Sequence, residues 1–88
     1  MTNGATIDVH LTLTPKEFEL LVLLTRHPGR TFPRDEILER VWNGEYEGET
    51  RTVDSHVKNI REKLREAEVN PNPIKTVWGV GYKFEVKP

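Results

Sequence analysis

Eighty-eight residues, a net charge of −1 and no cysteine describe one small domain, able to bury only about 60–65% of its unfolded surface. Such a chain has neither a disulfide framework nor a cysteine-bearing metal site. No apolar run approaches the roughly 20 residues of a membrane span, and the opening MTNGATID has no signal-peptide character, so a cytoplasmic protein without a membrane partner is expected.

Ile7, Val9, Leu11 and Leu13 alternate with Asp8, His10 and Thr12, the period-2 pattern of a half-buried strand. Residues 1–13 are therefore an N-terminal strand region. Thr14-Pro15-Lys16-Glu17 is a helix start, with Thr at the N-cap, Pro at the first helical position and Glu closing a capping box. This helix is predicted to run to about His27, where Pro28-Gly29 ends it. Its apolar content (Phe18, Leu20, Leu21, Val22, Leu23, Leu24) predicts cover on more than one side.

Thr31-Phe32 is a short extended link. A second helix starts near Pro33-Arg34-Asp35-Glu36, with acids in the first turn where the helix dipole favours them. Ile37, Leu38, Val41 and Trp42 give its buried face. A polar loop follows, made of Asn43, Gly44, Glu45, Tyr46, Glu47, Gly48 and Glu49. The third helix runs from Thr50 to about Ala67, and Asn70-Pro71-Asn72-Pro73 is a firm break. A β-hairpin closes the chain: Ile74–Val77, a Trp78-Gly79-Val80-Gly81 reversal, and Tyr82–Val86. Phe18, Leu21, Leu24, Trp42, Val57, Ile60, Leu64 and Phe84 are the large residues available for the core.

The third helix is the most informative element. At about 100° per residue, Val53, Val57, Ile60 and Leu64 stack into one stripe, with Arg51, Ser55, Lys58 and Glu62 opposite and Asn59 and Arg65 flanking them. A helix can enter the major groove only if its outward side chains are cationic or hydrogen-bonding and its inward side holds it rigid. Arg and Lys take phosphates or guanine edges, Asn pairs with adenine, and Ser fits either. Glu62 is repelled by phosphate and belongs past the groove floor or against a cytosine amino group. Charge is spread to match: residues 1–49 carry 5 Lys and Arg against 9 Asp and Glu, residues 50–88 carry 8 against 5. A basic half on an acidic body is the distribution of a one-sided anion-binding surface. The plain alternative is an ordinary amphipathic helix with a solvated face.

The hairpin favours nucleic acid. Lys75, Thr76 and Lys83 flank it, and Gly79 and Gly81 allow φ > 0 and bring backbone N–H groups close to an anion. Gly79-Val80-Gly81 lacks the third glycine and following helix of a nucleotide-binding fingerprint. Trp78 either stacks, wedges into a groove or covers the domain's own core. Helix, polar connection, split-faced helix and hairpin together predict an α+β winged helix-turn-helix: a three-helix core over 14–67 and a wing over 74–86.

No catalytic constellation is visible. His10, His27 and His56 sit on three elements without ligand spacing, and His56, about 60° from the buried stripe of its helix, is a packing or hydrogen-bonding histidine. Asp35, Glu36 and Glu39 are dipole partners and solvated face, and Ser55 has no His–Asp support. Neither enzyme activity nor a cofactor nor a metal is expected.

From Leu13 to Glu85 the chain closely resembles the winged-helix effector domain of OmpR/PhoB-type bacterial response regulators. LTPKEFELLVLL, HPGR, RDEILERVW, TRTVDSHVKNIREKL and IKTVWGVGYKFE occur in family-like form, order and spacing. The resemblance implies a transcription factor that binds double-stranded promoter DNA, with recognition helix 50–66 in the major groove. Reading positions fall on Ser55, Lys58 and Asn59. Arg51, Arg61 and His56 match positions that approach phosphates, and Trp42 adds a contact from the end of the second helix. Thr76, Trp78 and Tyr82 fall on the wing, near the backbone or minor groove; the lysine-flanked hairpin itself, apart from the resemblance, adds Lys75 and Lys83 as phosphate contacts.

The resemblance further implies that loop 43–49 touches RNA polymerase. Relatives dock as tandem head-to-tail pairs under a phosphorylated receiver domain, so a monomer that pairs on DNA is expected. Trp78 stands where many relatives have an arginine, and Asn59 where the position is often basic. Relatives carry several strands before the first helix; this chain has room for one or two. Its 88 residues hold no receiver domain, so an excised domain or a stand-alone protein under different regulation is expected. The rival reading is a winged-helix protein-interaction module without DNA binding.

Overall fold

Helix α1 (Pro15–Thr25) opens with the capping box its sequence predicts. The Thr14 hydroxyl accepts from the Glu17 amide at 3.2 Å, and the Glu17 carboxylate accepts from the Thr14 amide at 3.0 Å, so two otherwise orphaned donors are satisfied. Strand β1 (Thr31–Pro33), helix α2 (Arg34–Trp42), helix α3 (Thr50–Glu66), and strands β2 (Ile74–Val77) and β3 (Gly81–Phe84) follow. This computed structural model describes residues 12–43 and 49–86. The alternating segment up to Leu11, and loop residues Gly44, Glu45, Tyr46, Glu47 and Gly48, lie outside the described residues.

Several expectations are corrected. Helix α1 stops at Thr25 and is capped by Arg26, whose amide bonds to the Val22 carbonyl at 3.0 Å, short of His27. Phe18 is 58% exposed and not part of the core. Glu17, Leu20 and Leu24 are the buried residues of α1, spaced i, i+3 and i+7, and Phe18 falls about 100° off that line. Thr31-Phe32 is not a link but part of a strand. It pairs antiparallel with β3 in register Thr31↔Lys83, Phe32↔Tyr82, Pro33↔Gly81, giving a three-stranded sheet of order β1-β3-β2. Pro33 has no N–H to donate, which an edge strand tolerates.

Gly81 belongs to β3 rather than to the reversal, and β3 ends at Phe84. Only Gly79, at φ 80°, has the left-handed backbone expected of both wing glycines. Gly81 is there for space: a Cβ at this position would lie 1.9 Å from the Phe32 carbonyl oxygen.

Helix α2 begins with Asp35 and Glu36 in its first turn, and Glu36 also receives Arg30 at 2.8 Å and Arg40 at 2.9 Å. The core gathers Leu20 and Leu24 of α1, Phe32 of β1, Ile37, Leu38, Val41 and Trp42 of α2, the α3 stripe, and Ile74 and Tyr82 of the wing. Val53, Val57 and Ile60 are fully buried, each contributing about 1.5–3 kcal/mol. That stripe fixes α3 in rotation and leaves its other side outward.

One buried charge joins α1 to α3. Glu17 is 3% exposed, and the Lys63 ammonium donates to its Oε1 at 2.7 Å and to the Thr12 carbonyl at 2.8 Å. Burial by itself raises the Glu17 pKa. The hydrogen bonds from Lys63 and the Thr14 amide, with the fields of Lys63 and His56, outweigh it and hold the carboxyl below its ordinary 4.5. A carboxyl that ionises more readily folded than unfolded adds stability above about pH 4.5 and loses it as pH falls through the folded pKa. Glu17→Gln is therefore expected to cost about 1 kcal/mol at pH 7, with the gap to wild type closing as urea midpoints are followed down through the folded pKa. A gap that does not change with pH overturns the assignment.

Candidate nucleic-acid interface

The outward side of α3 is the predicted one. Arg51, Ser55, Lys58, Asn59 and Glu62 are all exposed, and among the described residues no side-chain hydrogen bond or ion pair occupies the first four. Arg65 donates to Glu62 at 3.0 Å, so that carboxylate is already paired. Three hydrogen-bonding or cationic groups at Ser55, Lys58 and Asn59 lie within about one helical turn, the span a few base pairs present in a major groove.

The wing stands beside that edge. Its turn is closed by the Val80 amide on the Val77 carbonyl at 2.9 Å, with Gly79 at the third turn position and φ 80°, the requirement of a type II turn. Trp78 is 88% exposed at the tip, so of its three expected placements, cover for the core is not realised. Lys75 and Lys83 face each other across the β2–β3 ladder, and Lys83 also lies 3.6 Å from Glu85.

Three predicted contact residues hold one another. Arg61 donates from Nε to the Ile74 carbonyl at 3.2 Å and from its terminal nitrogen to the Thr76 hydroxyl. Its guanidinium lies 5.5 Å from the Tyr82 ring centre. Arg61 thus fastens α3 to β2 with some of its donors, and Thr76 and Tyr82 are its partners. Tyr82 is 8% exposed and donates its hydroxyl to Asp54 Oδ1 at 2.7 Å. Burial, then the Asp54 hydrogen bond and charge, push the phenol up to about 12 against the opposing fields of Arg61 and Arg34. Asp54 Oδ2 also receives Arg34 at 2.9 Å.

Asp54 and Arg34 have no place in the sequence-based site. One signal for Asp54 is present: it precedes Arg61 by seven residues, two helical turns, which puts both on one face. With Thr76, Trp78 and Tyr82, Asp54 and Arg34 line a cleft of about 400 Å³ between α3 and the wing.

Trp42 and His56 meet at the back of the edge. Their rings are 4.9 Å apart at 85°, and His56 Nδ1 lies 2.8 Å from the Thr52 carbonyl. A carbonyl only accepts, so Nδ1 carries the proton. His56 is half-buried and hydrogen-bonded as its position on the helix predicts, and Trp42 is 6% exposed. Among the described residues no group of three or more His, Asp or Glu is arranged to hold a metal, and no helix is long and apolar enough to cross a membrane.

A helical core that presents one helix by an open polar edge, beside a sheet ending in a glycine-turned hairpin, is a winged helix-turn-helix of the kind found in regulators of transcription. The family "Transcriptional regulatory protein, C terminal" matches residues 8–84, and the chain belongs to it. The transcriptional regulatory protein SrrA of Staphylococcus aureus is 54% identical over 78 residues, 88% of this chain and 32% of SrrA. The chain thus spans about a third of the length of the curated relatives it matches. The DNA-binding domain of response regulator AdeR, solved in complex with an intercistronic region, superposes with a TM-score of 0.76 at 32% identity, covering 86% of this chain and 74% of that one. Response regulator DrrB of Thermotoga maritima, an OmpR/PhoB homolog, gives 0.74 at 38% identity, covering 86% and 34%. The resemblance to OmpR/PhoB-type effector domains holds across fold and sequence, and the family is one of regulators rather than enzymes.

Proposed function

We propose that the chain acts as the effector domain of a two-component response regulator, a single domain over residues 1–88 that binds double-stranded promoter DNA sequence-specifically in the cytoplasm. The observation that carries this reading is the unoccupied edge of α3, four exposed polar groups on a helix immobilised by its buried stripe. Ser55, Lys58 and Asn59 read bases, and Arg51 and His56 take phosphates. Arg61 reaches a phosphate with donors left over from Ile74 and Thr76. Trp42 supports the contact from the end of α2. Lys75, Thr76, Trp78, Tyr82 and Lys83 place the wing on the backbone or minor groove. Loop 43–49 contacts RNA polymerase, a receiver domain in the full-length protein governs activity, and the monomer pairs in tandem on DNA.

Arg51→Ala is expected to weaken binding to every sequence alike and to lower the salt slope by about 1, as loss of one phosphate contact does. Asn59→Ala is expected to relax preference at one base pair, by about 1–3 kcal/mol. Gel shifts at two salt concentrations, on random duplex and on a duplex selected from a random pool, measure both. Equal losses on the two duplexes for Asn59→Ala remove its reading role. No salt-sensitive shift at roughly tens of micromolar protein, the range of nonspecific binding, overturns the DNA reading and leaves the protein-interaction module.

A further inference from the structure

The wing tip carries no cation. Its outermost residues are Trp78, 88% exposed, and Val80, 48% exposed. Between them a Cβ at Gly79 would meet nothing within 4 Å, so the tip stands clear of the rest of the domain. The nearest wing cations, Lys75 and Lys83, pair two rungs back from the last ladder pair, Val77↔Gly81, about 7 Å behind it at strand spacing. Trp78 and Asp54 of α3 line the same cleft, which puts the tip beside the helix that carries the open edge. Basic shoulders behind an apolar point match a minor groove, where phosphates flank a floor of stacked bases.

We infer that Trp78 is an apolar wedge that enters the minor groove at a flexible base step, and that it sets sequence preference there by deformability. The inference rests on the DNA-binding function proposed for this domain. A narrow A-tract groove attracts a cation through its negative potential and offers a neutral indole no such gain. A wedge instead has to unstack adjacent base pairs, which is least costly at TA and CA/TG steps. The wing position of the binding site is therefore enriched in these steps, and the contribution of Trp78 is insensitive to salt.

The test uses the 88-residue chain and a fluorescent duplex selected by it from a random pool, followed by anisotropy and tryptophan emission together. Trp42 is the second tryptophan and is 6% exposed, so Trp78→Phe isolates the Trp78 signal. Duplex binding is expected to quench Trp78 emission. Trp78→Ala is expected to weaken binding roughly five- to a hundredfold, the range of lost base–aromatic stacking, with the salt slope unchanged. Trp78→Arg is expected to steepen that slope by about 1 and to shift the selected wing sequence from TA and CA/TG toward A-tracts. Circular dichroism checks that the variants remain folded. Salt-sensitive duplex binding with unaltered Trp78 emission, or with full affinity in Trp78→Ala, refutes the wedge and leaves the DNA reading standing. Emission that changes with protein concentration alone assigns the tip to a second copy of the chain and also refutes it. No binding to any duplex removes the DNA reading itself, and the wedge with it.

Discussion

Gly81→Ala is expected to be the most damaging of the glycine-to-alanine changes at the described glycines. The new Cβ would sit 1.9 Å from the Phe32 carbonyl oxygen and 2.9 Å from both the Phe32 carbonyl carbon and the Pro33 Cα. All three are backbone atoms, so no side chain can swing aside. Relief requires β1 to leave β3, which breaks the Phe32↔Tyr82 pairing and exposes Phe32, at present fully buried. Lost burial of one large side chain and the lost ladder bonds come to about 3 kcal/mol or more. In a domain of this size that lowers the melting temperature by roughly 12–24 °C. Gly79→Ala is the control: it meets open space but sits at φ 80°, a strain of about 1–2 kcal/mol. A Gly81→Ala melting point at or above that of Gly79→Ala refutes the account.

Asp54→Ala is expected to move stability and DNA affinity in opposite directions. Its carboxylate accepts the Tyr82 hydroxyl and the Arg34 guanidinium. Without it a buried phenol has no acceptor, a cost of about 1–3 kcal/mol. The same change removes a negative charge from the recognition helix and releases Arg34 toward phosphates, so binding to any duplex strengthens. Asp54→Asn keeps an acceptor for Tyr82 and restores much of the stability while retaining the affinity gain. Ultraviolet titration reads the link directly. The Tyr82 phenol, about 12 in the wild type, falls toward 10, its ordinary value, in Asp54→Ala. A raised phenol pKa adds stability that is complete below pH 10 and is lost as pH rises toward 12; in Asp54→Ala that alkaline loss shrinks. Unchanged urea midpoints for Asp54→Ala exclude the arrangement.

What the sequence discloses is what local chemistry determines. The Thr14 capping box and the α3 stripe follow from spacings of three and four residues, and the free edge follows as the complement of that stripe. The misplacement of Phe18 has the same root: α1 is apolar at five consecutive positions from Leu20 to Leu24, so no single face announces itself. β1 escapes a reading by pattern because three residues are too few to show alternation, and its pairing depends on Tyr82, 50 positions away from Phe32. The ties that orient the wing, Asp54 to Tyr82 and Arg61 to Thr76, are equally non-local. Sequence names Arg61, Thr76 and Tyr82 as contact residues, but only the fold shows that they are also braces for one another.

The Lys63 ammonium, held between Glu17 and the Thr12 carbonyl, gives the recognition helix a mooring at the N-terminal end of the helical core. Thr12, just ahead of the first helix, is thereby tied to α3 by a polar contact, beside the apolar packing of Leu13 on the core. One ammonium on the helix with the open polar edge therefore holds both the backbone leading into α1 and the carboxylate of the α1 capping box.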